Sequence, residues 1–284
     1  MSGWVAVNGA WLPSEEATVS VFDRGFLFAD AVYEVAAVLD GRLVDFDAHF
    51  ARLQRSLGEL NIPAPFTRDE CLALKRELVT RNAINEGIAY LQVSRGEAQR
   101  DFAYPKNPKP TSVAFAQQKS IVASPLAQQG IAVVSRPDIR WRRCDIKTVG
   151  LLGASMTKQS AIDAGADDAW FVDAAGVTEG TSSNAYIVTK AGALITRQLG
   201  NEILAGITRD SVLAVARDHG LSIEERTFSL AEALAASEAF ITSATTFVQP
   251  VVCIDGEPIG EGQPGPVARD LRDKYIEVAR ATAL

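Results

Sequence analysis

Histidine and cysteine are scarce in this 284-residue chain: only His49 and His219, and only Cys71, Cys144 and Cys253. Two histidines exclude a multi-histidine metal centre and leave an imidazole-based triad only those two positions to draw on. The cysteines are odd in number and far apart, so neither a disulfide framework nor a CxxC metal or redox pair can be read. No apolar run approaches the roughly 18 residues of a membrane-spanning helix. Met1 to Val7 lacks the charged start and apolar core of a signal peptide. Positive charge is short as well: 28 Lys and Arg against 35 Asp and Glu leave a net charge of -7, the wrong sign for wrapping a nucleic-acid backbone. The expectation is a soluble, cytoplasmic protein without nucleic-acid or membrane partners.

What the chain does have is apolar mass. A 47% hydrophobic fraction with 22% charged residues and no polar low-complexity tract argues against disorder. The length suits one large core or, more naturally, two domains. Trp4 to Val7 and Trp11-Leu12 flank Asn8-Gly9, a hairpin signal. Val32 to Leu39, Asp40-Gly41 and Leu43-Val44 repeat that pattern. Phe50, Leu53, Leu57 and Leu60 recur at helical spacing after Asp47 as N-cap, with Arg52 and Arg55 beside their face. Thr67-x-x-Glu70 is a capping box, and strands follow at Ile88 to Ser94 and Thr111 to Gln117. The polar stretch 118–130 reads as a linker between a small N-terminal α/β domain, 1–117, and a larger C-terminal domain, 131–284. In the second part, a helix runs from about Leu151 to Gly165, another covers Arg209 to His219, Ser229-x-x-Glu232 caps a third, and Pro266 to Ala281 forms the last.

Four segments could carry chemistry. In Leu204-Ala205-Gly206-Ile207-Thr208, a glycine precedes a helix start whose unpaired N–H groups suit an anion, although a plain helix cap at Thr208 explains the same residues. Ser243-Ala244-Thr245-Thr246 offers hydroxyls and backbone donors after a strand, or an ordinary loop. Glu179-Gly180-Thr181-Ser182-Ser183-Asn184 could set a carboxylate against a flat ring, or form a solvated hairpin turn. Lys147 has apolar neighbours Trp141, Ile146 and Val149, whose burial of the amine would make it a nucleophile. Spacing alone does not select among these readings.

The segments occur in an order that resembles the fold-type IV (class IV) pyridoxal-phosphate aminotransferases, above all their D-amino-acid branch. The resemblance runs from Asp23-Arg24-Gly25-Phe26 through Tyr33-Glu34-Val35, Arg140 to Lys147, Val177 to Asn184 and Gly206 to Asp210, and ends around Thr242 to Thr246. It implies a two-domain α/β (α+β) fold whose larger C-terminal domain is a pseudo-barrel carrying the cofactor lysine. It implies pyridoxal 5′-phosphate as cofactor, Lys147 as the residue of the internal aldimine and proton carrier, and Glu179 as partner of the pyridine nitrogen. Arg52, Ile207, Thr208, Ala244 and Thr245 would hold the phosphate, Leu204 would pack on the ring, and Ser182 and Ser183 would flank the substrate.

Tyr33 and Arg100 would bind the substrate carboxylate, Arg100 being donated across a homodimer interface. The branch usually has histidine where this chain has Phe102, which exchanges a polar contact for an apolar wall. The implied activity is ping-pong transfer of an amino group between D-amino acids of the D-alanine or D-glutamate type and 2-oxo acids such as 2-oxoglutarate or pyruvate. Branched-chain L-amino-acid or (R)-amine transamination and aminodeoxychorismate lyase chemistry are the alternatives on the same fold.

Overall fold

The computed structural model describes residues 3–284 and divides into two compact units. One takes the chain up to Ser120 together with Ile146–Gly150 and Ala279–Leu284; the other comprises Ile121–Asp145 and Leu151–Val278.

In the first unit, β1 (Trp4–Val7), β2 (Ala10–Pro13), α1 (Arg24–Phe28), β3 (Ala31–Leu39), β4 (Arg42–Leu43), α2 (Phe46–Glu59), α3 (Arg68–Arg81), β5 (Glu86–Ser94) and β6 (Thr111–Gln118) follow in turn. The strands form one antiparallel sheet in the order β2-β1-β6-β5-β3-β4. Asn8 and Gly9 take φ of 50° and 81°, the left-handed pair that closes the β1–β2 hairpin with the twist of its strands. On β3 the alternation of side chains buries Val32, Glu34 and Ala36 while leaving Tyr33 and Val35 half-buried. Val32 and Ala36 share a core with Leu53 and Leu57 of α2 and Leu78 of α3. The helix α2 starts slightly earlier than its sequence suggests: Asp45, in the left-handed region, occupies the N-cap, and Asp47 lies in the first turn, where its charge suits the helix dipole. Thr67 makes the expected reciprocal capping box with Glu70.

In the second unit, α4 (Pro125–Gln129), β7 (Ile131–Pro137), α5 (Leu152–Asp163), β8 (Asp168–Asp173), β9 (Gly176–Gly180), β10 (Asn184–Val188), β11 (Leu194–Thr196), α6 (Ile207–Asp218), β12 (Ile223–Glu225), α7 (Leu230–Leu234), β13 (Glu238–Ser243), β14 (Phe247–Ile254), β15 (Glu257–Pro258) and α8 (Pro266–Thr282) follow, the last ending in the first unit. The sheet runs β12-β11-β10-β13-β14-β7-β8-β9, with β15 on β14. It curls into a half-barrel, bringing β9 back beside β10, where the Gly180 N–H donates to the Ser183 carbonyl at 2.7 Å. Trp170 and Phe228 meet edge to face, 6.2 Å between centroids, in its core. No helix among the described residues is long and apolar enough to cross a membrane.

Two features differ from the sequence reading. The stretch expected as a linker holds α4, with Pro125 in its first turn. And Ile146–Gly150, which contains Lys147, groups with the first unit and not with the C-terminal one: the Tyr33 N–H donates to the Lys147 carbonyl at 3.0 Å and the Val149 N–H to the Ala31 carbonyl at 3.1 Å. These bonds extend the edge of β3, so the segment follows that strand rather than its neighbours in sequence.

Candidate active site

The first unit brings Lys147 to Tyr33. The Lys147 amine lies 4.2 Å from the centroid of the Tyr33 ring, which stacks on Tyr90, and Tyr90 in turn stacks on Phe115. The burial expected of Lys147 is not found: it is half-buried, with its amine over the ring of the half-buried Tyr33. The buried lysine is Lys75, at 2% exposure, and burial lowers its pKa.

On the other face of β3, Glu34 gathers a guanidinium and an imidazole from α2. Arg52 donates through Nε to Oε1 at 2.7 Å and through Nη2 to Oε2 at 2.8 Å, and His49 Nδ1 stands 2.7 Å from Oε2. Glu34 is 1% exposed. Burial alone would raise its pKa, but the Arg52 guanidinium and the His49 contact override that and hold the carboxyl well below the usual range. Burial pushes the His49 pKa down, against the pull of Glu34. Arg52 is thus fixed by a carboxylate that the sequence reading leaves without a role.

Arg100 and Phe102 lie in the exposed segment after β5, Phe102 at 80% exposure.

The second unit organises Glu179. This residue is in a buried strand and not in a solvated turn, because the curl of the sheet covers β9. Its Oε1 accepts from Arg140 Nη1 at 2.5 Å. Its Oε2 accepts from Asn184 Nδ2 at 3.0 Å and from the Leu204 backbone N–H at 3.1 Å. Burial pushes the carboxyl up, opposed by Arg140 and the Leu204 amide. Arg140 is held by Asp138 through Nε at 3.0 Å and Nη2 at 2.7 Å, and its guanidinium packs 4.2 Å from the Phe171 centroid. Asp138, Arg140 and Asn184 have no role in the sequence reading. A carboxylate, a guanidinium and an amide that converge from 138, 140 and 184 onto 179 have no common sequence spacing, and burial of polar residues is the missing signal.

The same unit carries the donors suited to a phosphate. At α6 the N-cap is Gly206, with no side-chain cap, so Thr208 does not cap its own helix and the first N–H groups have no intrahelical acceptor. Ile207 and Thr208 are both buried. Between β13 and β14, Ser243 Oγ lies 2.9 Å from Thr246 Oγ1 and accepts from the Thr245 N–H at 3.3 Å, so Ala244 and Thr245 form a tight hydroxyl-lined turn. Ser183 is 8% exposed and its Oγ has no hydrogen-bond partner among the described residues, whereas Ser182 is exposed. An uncapped helix start, a turn of hydroxyls, an orphaned buried hydroxyl and a carboxylate with ordered lone pairs fit the phosphate, polar edge and ring nitrogen of pyridoxal phosphate.

Comparison with known proteins agrees with this chemistry. The family model for Amino-transferase class IV matches residues 31–254. A D-alanine aminotransferase of Staphylococcus haemolyticus is 39% identical over 277 residues, 96% of this chain and 98% of that protein. One from Bacillus licheniformis is 40% identical over 270 residues, 94% of each. Among solved structures, a T.th. branched-chain amino acid aminotransferase with pyridoxamine 5′-phosphate superposes with a TM-score of 0.91 at 28% identity, covering 99% of this chain and 95% of that one. The Escherichia coli branched-chain enzyme, at 21% identity and a TM-score of 0.92, shares the fold. The chain belongs to the class IV aminotransferases, which work with pyridoxal phosphate.

Proposed function

We propose that the enzyme moves the amino group between D-alanine-like D-amino acids and 2-oxo acids such as 2-oxoglutarate or pyruvate, acting as a homodimer in the cytoplasm. The near full-length likeness to D-alanine aminotransferases supports the choice of substrate. The Lys147 amine set over Tyr33 is the observation that carries the chemistry. Pyridoxal phosphate, when bound, supplies a ring that takes up the electrons left at the substrate Cα.

The chain's residues do the rest. Lys147 would hold the cofactor covalently, and its free amine would move the proton at the substrate Cα. Glu179 accepts from the ring nitrogen and keeps it protonated, and the three donors on its oxygens favour the ionised form that this requires. Arg52, the α6 N-terminus at Ile207 and Thr208, and the turn at Ala244 and Thr245 bind the phosphate, while Leu204 packs on the ring. Tyr33 and Arg100 bind the substrate carboxylate, with Arg100 given to the partner's site, and Phe102, Ser182 and Ser183 line the substrate.

A donor screen tests this reading. Purified enzyme should be yellow and should bleach on addition of D-alanine, and Lys147→Ala should lose both the covalent link and turnover. Activity confined to L-leucine or to (R)-phenylethylamine would sink it.

A further inference from the structure

Arg100 differs from its neighbouring arginines in how it is held. Arg24 and Arg95 are buried, at 3% and 1% exposure, and both donate to Asp30. Arg100 is exposed and makes no hydrogen bond or ion pair among the described residues. Its Cζ lies instead 5.3 Å from the Phe28 ring centroid and 5.8 Å from that of Phe102. The two rings are 5.6 Å apart and inclined by 57°, so they form an open V against the guanidinium.

That V is anchored in the interior. Arg24 packs 4.6 Å from the Phe28 centroid and donates through Nη1 to the Asp101 carbonyl at 2.6 Å and to the Ala103 carbonyl at 3.4 Å. One buried side chain therefore fixes the ring of Phe28 and the backbone on both sides of Phe102. Arg95 packs 3.5 Å from the Tyr104 centroid and grips the other end of the segment.

We propose that Phe28 and Phe102 are positioning residues that hold the Arg100 guanidinium by cation–π contact and preset it as a receptor for the substrate carboxylate. The proposal rests on the reading of Arg100 as the carboxylate-binding residue. A carboxylate neighbour would hold the guanidinium equally well but would occupy its N–H donors and cancel its charge. An aromatic face does neither, so the fork stays open for a bidentate ligand. The phenyl ring at 102 then compensates for the donor it cannot supply by removing freedom that Arg100 would otherwise lose on binding.

Substitutions at 102 separate ring from bulk. Phe102→Leu should raise KM for D-alanine about two- to fivefold, the factor one exposed cation–π contact is worth, with kcat falling less than KM rises. Phe102→Tyr should keep KM within about twofold of wild type, and Phe28→Leu with Phe102→Leu should approach a tenfold rise. D-lactate, which has the carboxylate but no amine, should bind Phe102→Leu more weakly by the same factor. In arginine-labelled enzyme the Arg100 Nε–H resonance, identified by its loss in Arg100→Lys, should show a ring-current shift that Phe102→Leu removes. A wild-type KM and an unmoved resonance in Phe102→Leu overturn the proposal, as does a Phe102→Tyr variant as impaired as Phe102→Leu. Wild-type enzyme inert to D-alanine would count against the transaminase reading alone, since the resonance still decides whether the rings hold Arg100.

Discussion

Arg140 Nη1 stands 2.5 Å from Glu179 Oε1, with both side chains largely removed from solvent, and Asp138 grips the same guanidinium at 2.7 Å. The three charges form a row, acid, base, acid, in which the base serves both neighbours. Truncating one member of a buried pair leaves the other charge uncompensated at a cost of about 3–5 kcal/mol. Arg140→Leu should lose stability of that order in urea unfolding. It should also let the Glu179 carboxyl take up a proton more easily, which would appear as an altered pH dependence of the cofactor absorbance and a drop in kcat of about tenfold or more.

Glu34 stands in the same relation to Arg52 and His49. Glu34→Gln keeps the shape but removes the charge, leaving the Arg52 guanidinium buried without its carboxylate and near Lys75. The expected outcome is a loss of about 3 kcal/mol in unfolding free energy and faster loss of pyridoxal phosphate on dialysis, because Arg52 loses the carboxylate that orients it.

Acid should weaken the fold in two stages. His49 has a folded pKa below its unfolded value, so as pH falls below about 6.5 the unfolded chain takes up a proton that the native one refuses, and stability drops. Glu34 also has a lowered pKa, so the stability its ionised form contributes is complete above about 4.5 and is lost as pH falls below it. Denaturation midpoints followed from pH 8 to pH 4 should fall in both windows. His49→Gln should flatten the first; an unchanged slope there would contradict the assignment.

Gly206 links the phosphate end of the second unit to Glu179. A Cβ at Gly206 would collide with Asn184 Oδ1, and Asn184 Nδ2 is the donor to Glu179 Oε2. Gly206→Ala should displace that amide, raise the apparent Kd for pyridoxal phosphate several-fold and lower turnover. Absorbance titration of apoenzyme with the cofactor measures the first effect directly.

Local pattern determined much of the architecture. The hairpin at Asn8-Gly9, the boxes at Thr67 and Ser229 and the apolar face of Leu53 and Leu57 depend on neighbours within a few residues, and all are found. The motifs around Lys147, Glu179 and Thr208 were legible too, but only as segments that resemble a family, since local spacing left each with an ordinary alternative. Glu34 was legible as part of such a motif and illegible as an anchor.

By itself, then, the sequence determined the class of fold, the family and the residues to inspect. Tertiary structure alone decided which polar groups lose their water. Curling of the second sheet carries β9 to β10 and buries Glu179 among donors from 140, 184 and 204. Pairing along β3 draws Lys147 onto Tyr33 and leaves Lys75 as the buried lysine. Burial sets the charge state of a carboxyl or an amine through partners that can lie anywhere in the chain, and no local period encodes them.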